Sequence, residues 1–382
     1  MAFTVVSLGA ASGIGAFESP LNAADSEITV WIGTGRTDLS RGIYQCTLNQ
    51  TTGKLSSPVL AAEAEGAGFL AMHPSRTHLY AVSGIAGKGS VAAWAIESKE
   101  GRPALRFVNS VEVGDGGGTH LSVDASAKSI ITAQYGGGSV AVFSLNADGS
   151  LRERSQLIDH QGASRAVPER QDAPHAHWAG FSPDQRFAFV PDLGLDKVVI
   201  YEFSAAQSQL KPHGAGILPP GSGPRHMKFH PNGKWAYVLN EINLTITQFG
   251  YDADKGMMTP IETVATVPEE LKAKEKTVSA AEIRVHPSGR FVYSSNRGHD
   301  TISAFRVNPE DGRLTIIERE PIRGATPRNF NLDPSGRWLL AAGQDSHTLG
   351  VFAIDDNTGE LTWNGSSVFA PSAICVLFGP EP

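Results

Sequence analysis

The chain repeats itself, and that restricts its possible folds more than any other property of the sequence. An apolar residue closing a short β-type run recurs at Cys46, Trp94, Phe143, Tyr201, Phe249, Phe305 and Phe352, with spacings of 48, 49, 58, 48, 56 and 47 residues. Most of these markers are followed by a Thr-Gly or Asp-Gly turn, as at Gly53, Gly149, Gly312 and Gly359. A second turn recurs on the same clock at Pro74, Ala125, Pro183, Pro231, Pro287 and Pro334. Each precedes an aromatic or aliphatic run such as Phe291-Val292-Tyr293 or Trp338-Leu339-Leu340. About four short strands per unit, without strong helical periodicity, describe a β-propeller. The expected fold is therefore all-β, with seven blades.

One blade is expected to be shared by the two ends of the chain. Near the N-terminus, Ile28-Thr29-Val30-Trp31-Ile32 reads as a second strand without its first. Near the C-terminus, Pro371-Ser372-Ala373-Ile374-Cys375-Val376-Leu377 reads as a first strand without a follow-on, and aligns without gaps on Pro224 to His230. Pairing the two closes the ring and hides edges that an open sheet would expose. The propeller is thus assigned to residues 27–382. Cys46 and Cys375 fall in this shared blade on strands separated by a third, so they read as unpaired core residues.

Residues 1–26 stand apart. The apolar run Phe3 to Phe17, followed by Ser19-Pro20-Leu21-Asn22-Ala23-Ala24, resembles a secretory leader, yet the first 35 residues contain no Lys or Arg. The segment is either a leader lacking its basic end, which implies export to the periplasm, or a disordered tail. Thirty-two basic against 39 acidic residues argue against a broad nucleic-acid surface. No apolar run reaches the roughly 18 residues of a membrane span. The chain is expected to act as a monomer.

The hairpin around Pro231 shows where chemistry can gather. Its first strand starts, and its second ends, at the same end of the hairpin. Arg225 and His226 therefore stand beside Asn240 and Glu241, away from the Pro231-Asn232-Gly233 turn. Six residues before each anchor turn come Gly68, Thr119, His177, Arg225, Ala281 and Arg328; five before come Phe69, His120, Trp178, His226, Glu282 and Asn329. Positions four and two before are almost all apolar, as in Met227 and Phe229 or Ile283 and Val285, and are expected to pack blade on blade. His120, His177, His226, Arg225, Arg297, Arg328 and Glu241 should then share one mouth of the central channel, the convergent polar cluster that marks a site.

Other candidates take plainer readings. His73, His230 and His286 precede the turn proline, where Asp124, Ser182 and Asp333 substitute, so they serve the hairpin. Gly116-Gly117-Gly118 and Gly136-Gly137-Gly138 are turns, since no helix follows to make a phosphate loop. His175-Ala176-His177 could seat a metal, but mouth acids are few, and neither a metal nor a cofactor is expected. Two units are about ten residues longer than the rest, through Asp159 to Ala173 and Pro268 to Ser279. Both inserts precede a first strand and should emerge beside Arg225 and Glu241, where loops carry function. Glu269 to Lys276 could form one or two turns of helix.

Gly118-Thr119-His120-Leu121-Ser122-Val123-Asp124, Gln134-Tyr135-Gly136-Gly137-Gly138, Pro174-His175-Ala176-His177 and Gly223-Pro224-Arg225-His226 through Asn240-Glu241 resemble the seven-bladed lactonase family. That family comprises the propeller-type 6-phosphogluconolactonases and the fungal carboxymuconate-lactonizing enzymes. The likeness spans roughly residues 27–379 and is most specific in blades two to six. It implies metal-independent lactone chemistry at the channel mouth and, from the sugar-phosphate members, a cytoplasmic place in the pentose phosphate pathway. The family's His, Arg and Glu fall on His177, Arg225 and Glu241, and its second Arg on Arg297 or Arg284. Glu241 or His177 would then move protons and Arg225 would meet an oxyanion or a substrate carboxylate. Arg297, His226, His120, Arg328 and Arg284 would bind a small lactone, expected to be 6-phosphogluconolactone. A muconate-type lyase or isomerase, and a propeller that only binds, are the alternatives.

Overall fold

Each repeat folds into a four-stranded antiparallel sheet in a computed structural model that describes Met1 and residues 27–379, apart from Ala86, Glu100 and Lys276. The leader-like run Phe3 to Phe17 lies outside the described residues. Blade five is representative, with strands Pro224–Phe229, Trp235–Asn240, Thr245–Asp252 and Met257–Ala265 paired in sequence order. Gly233, at φ 70°, makes the first turn. His230 steadies it, its Nδ1 accepting the Asn232 N–H at 3.1 Å, while its Nε2 meets the Gly289 carbonyl of blade six at 2.8 Å. His286 repeats the arrangement with Ser288 and Gly336 of blade seven. The turn histidines therefore serve the hairpins.

The apolar columns pack between blades. Val238 and Phe249 of blade five pack with Phe189 and Ile200 of blade four, while Tyr237 and Leu239 pack with Ile283 and Val292 of blade six. Burying each such side chain is worth about 1.5–3 kcal/mol, so the seams carry most of the stability. Tyr80, Tyr237 and Tyr293, each six residues after its anchor turn, donate their hydroxyls to the carbonyls of Gly149, Gly312 and Gly359 in the next blade. These three turn glycines have φ of 85°, 76° and 80°, a region other residues rarely adopt.

Ring closure is as expected, with a corrected register. Ala373–Phe378 pairs with Glu27–Thr34, which pairs with Gly42–Asn49 and then Val59–Glu63. Ile28, Val30 and Ile32 pack against Leu340, Leu349 and Val351 of blade seven, sealing the last seam. However, Ala373 faces Thr34 as Pro224 faces Asn240, so the C-terminal strand lies two residues later than a gapless alignment places it. Ile374, not Ser372, stands where blade five has Arg225. Cys46 and Cys375 are buried and free.

The two inserts differ. The second forms a short helix, Glu269–Lys272, anchored by the Lys272 ammonium on the Asn243 carbonyl at 2.6 Å. The first, residues 160–173, arches over the mouth without regular secondary structure. No helix among the described residues is long and apolar enough to cross a membrane.

Candidate active site

A bulge in the first strand aims the key arginines. Pairing in blade five skips from Pro224 to His226 and in blade seven from Pro327 to Asn329, leaving Arg225 and Arg328 unpaired on the bulges. Such irregularities redirect a side chain beside a functional site. Both arginines border a cavity of about 250 Å³ with His177, His226, Thr119 and Ile374. A second lobe of about 210 Å³ is lined by Thr119, Tyr135, His177, Glu241, Arg297 and Arg328. The lobes share Thr119, His177 and Arg328, and together reach the size of a small-molecule pocket. Side chains from blades three, four, five, six and seven thus meet at one opening.

Glu241 is the hub of the cations. Its Oε2 accepts from Arg225 Nε at 2.9 Å and lies 3.1 Å from Arg297 Nη2, while its Oε1 accepts from Arg170 Nη2 at 2.7 Å. Burial alone would raise its pKa, but Arg297, Arg225 and Arg170 together hold the carboxyl below its ordinary range. A carboxylate so stabilised is a weak proton acceptor. Arg225 is itself buried, and desolvation followed by the nearby Arg297 charge lowers it to about 9, leaving it a cation at neutral pH.

His177 has the opposite character. It is 4% exposed. Burial, then Arg225, His226, Arg328 and Arg297, push its pKa well below 6.5, so the imidazole is neutral at physiological pH. Its Nδ1 is buried without a hydrogen-bond partner among the described residues. The backbone around it is rigid: its N–H donates to Pro191 O at 3.0 Å, and Asp192 Oδ1 accepts the His175 N–H at 2.8 Å. Asp192 Oδ2 meets His160 Nδ1 at 2.6 Å, and His160 Nε2 meets the Tyr201 hydroxyl at 2.9 Å.

The remaining expected residues divide by depth. Arg297 reaches the second lobe and also donates to Ala280 O at 3.2 Å. Arg328 has no ion pair or side-chain hydrogen bond among the described residues, so its guanidinium is uncommitted. His226 forms part of the floor: Arg225 Nη1 stands 3.2 Å from its Nε2, which leaves Nδ1 to donate to Glu282 Oε1 at 3.1 Å. His120 lies within that floor, its ring 4.1 Å from Phe69 and 5.5 Å from His226. Arg284 is not at the mouth. It follows Glu282 by two residues, so the alternation of the strand places it one layer deeper, where its Nη2 is 3.5 Å from Glu282 Oε2. No cluster of three or more His, Cys, Asp or Glu that could hold a metal occurs among the described residues.

Two mouth residues carried no expected role. Arg170 comes from the first insert, whose position was foreseen although nothing singled out this arginine. Tyr135 sits ten residues after its anchor turn, stacks on His175 at 4.5 Å and stands edge-on to His177 at 5.7 Å.

The burial of His120, His177 and His226 has a consequence for stability. Desolvation first, then neighbouring cationic and imidazole groups, lowers all three. Below about pH 6.5 the unfolded chain takes up protons that the folded site refuses, so stability is lost as the pH falls. Urea unfolding at about pH 7 and about pH 5 should show this, at up to about 1.4 kcal/mol per pH unit for each histidine.

Comparison with known proteins agrees with this architecture. The family model described as "Lactonase, 7-bladed beta-propeller" matches residues 29–378. A 6-phosphogluconolactonase of Bacillus subtilis (strain 168) is 35% identical over 348 residues, which cover 91% of this chain and 97% of that one. The structure of the Pseudomonas aeruginosa periplasmic gluconolactonase superposes with a TM-score of 0.87 at 29% identity, covering 94% of this chain and 100% of that one. A protein from Lactobacillus plantarum gives a TM-score of 0.86 at 31% identity, covering 93% and 100%. The chain belongs to the seven-bladed β-propeller lactonase family.

Proposed function

We propose that the protein hydrolyses a phosphorylated sugar lactone, 6-phosphogluconolactone, at the mouth of its central channel. Opening a lactone needs an activated water, stabilisation of the oxyanion that forms, and a proton for the departing alkoxide. His177, neutral and lining both lobes of the pocket, takes the proton from water and returns it to the alkoxide. Arg225, held rigid by Glu241, faces the developing oxyanion across the larger lobe. Glu241 serves as the anchor of three guanidiniums rather than as the base. Arg297 and Arg328 hold the phosphate, which suits a planar fork of donors.

The observation that carries this reading is the uncommitted Arg328 guanidinium beside a neutral His177 in one pocket. One carboxylate, Glu241, already serves Arg170, Arg225 and Arg297, so an anionic ligand supplies the charge that the mouth lacks. The relatives named for 6-phosphogluconolactone and gluconolactone chemistry support a lactone substrate. Purified protein should be offered glucono-1,5-lactone with and without a 6-phosphate, in the presence of a chelator. Faster turnover of the phosphorylated lactone, competed by inorganic phosphate, is the expected result. Hydrolysis of neither lactone, or competition by dicarboxylates instead, would count against it.

A further inference from the structure

The channel continues beneath the floor, and its next layer is cationic. Lys228 follows His226 by two residues on the first strand of blade five, and Arg284 occupies the equivalent place in blade six. The Lys228 ammonium lies 5.1 Å over the Trp178 ring of blade four. Its charge is also felt by His120 of blade three, and it senses Arg284 of blade six and Cys375 of blade one. Groups from so many blades converge only on the central axis. His226 and Glu282 above are at most 2% exposed, whereas Lys228 is half-buried and the Arg284 side chain is 19% exposed. Water therefore reaches this layer from the face opposite the catalytic mouth.

The layer is short of negative charge. Lys228 has no ion pair or side-chain hydrogen bond among the described residues. Arg284 donates to Phe330 O at 3.3 Å and reaches Glu282 Oε2 only at 3.5 Å. Glu282 is largely spent, accepting from Asn329 at 2.5 Å, from the Ile283 N–H at 3.0 Å and from His226 at 3.1 Å. The indole N–H of Trp178 is a further buried donor without a partner among the described residues. An ammonium, a guanidinium and an indole N–H, with no free acceptor to match them, form a site for an anion. The corresponding positions of blades two and three are small, Ala71 and Ser122, and that of blade four is Gly180, against which the Trp178 ring packs; in blades seven and one they are Asn331 and Leu377, so none of the five carries a competing negative charge. A partly buried ammonium without a counter-charge has no partner to offset the hydration it has lost, which favours an anion beside it.

We propose that Lys228 and Arg284 bind a small oxyanion in the lower channel, at a site separate from the lactone pocket and reached from the other face of the disc. Inorganic phosphate is the probe, titrated calorimetrically into the full chain. The expected result is that Lys228→Met and Arg284→Gln each lose one phosphate equivalent per chain relative to wild type, while lactone turnover stays within about twofold. Arg328→Met, which alters the mouth, should leave that equivalent in place. A Lys228→Met protein that binds phosphate with unchanged stoichiometry and affinity would overturn the proposal. The wild-type protein gives an independent reading: crystals soaked in selenate should show anomalous density between Lys228 and Arg284, and its absence at saturating selenate would equally overturn it. If the mouth bound no phosphate, wild type would hold one equivalent and Lys228→Met none, so this site stands or falls apart from the proposed reaction.

Discussion

His177→Ala should lower kcat by about 100- to 10,000-fold, the range that a positioned general base contributes. KM should change only a few-fold, because the neutral imidazole adds no charge to substrate binding. The fold should survive, since the backbone N–H to Pro191 O bond is retained by alanine. The pH profile sharpens the test. Burial and the surrounding arginines keep His177 unprotonated well below 6.5, so wild-type kcat should hold at about pH 6 and fall only as the pH drops through that lowered pKa. Stopped assays across pH on both proteins check the two expectations together. A His177→Ala enzyme with wild-type kcat would remove the imidazole from the mechanism.

Glu241→Ala should be the most damaging change to the site as a structure. It strands Arg225 and Arg297 in a buried position and frees Arg170 at the rim. Removing one partner of a buried ionic cluster costs about 3–5 kcal/mol, because the remaining charges keep their desolvation penalty. Urea unfolding should show that loss. In whatever fraction stays folded, kcat/KM should fall at least about 100-fold, the usual cost of displacing a catalytic group by about 1 Å. Glu241→Gln preserves shape and some hydrogen bonds, so it should lose less stability than Glu241→Ala while still loosening the arginines.

The fold was legible because its determinants are periodic. The turn markers and the apolar columns report the same blade from several places in the sequence, and the missing strand at each end points to the composite blade. A β-bulge leaves no such trace. It adds one residue to a strand without altering the apolar pattern. The closing strand was misplaced for another reason: a slip of two residues keeps every side chain on the same face, so the apolar pattern fits Ser372 and Ile374 alike. The mouth residues His177, Arg225 and Glu241 were legible by hairpin geometry alone. Depth was not: Arg284 carries the right charge for the mouth, but strand alternation puts it a layer below. Arg170 was beyond reach for a different reason. Its loop has no period, so its approach to Glu241 is fixed by tertiary contacts such as Gln171 Nε2 to Leu193 O at 2.8 Å.

The uncommitted Arg328 guanidinium is the group that distinguishes a phosphorylated lactone from an unphosphorylated one in the proposed reaction. The ratio of kcat/KM for the phosphorylated lactone to that for the unphosphorylated one, measured in wild type and in Arg328→Met, tests it most directly. Loss of a charge-assisted contact of about 1.5–3 kcal/mol should shrink that preference by roughly 10- to 150-fold, with the unphosphorylated lactone turned over much as before. An unchanged ratio in a folded Arg328→Met protein would contradict the account.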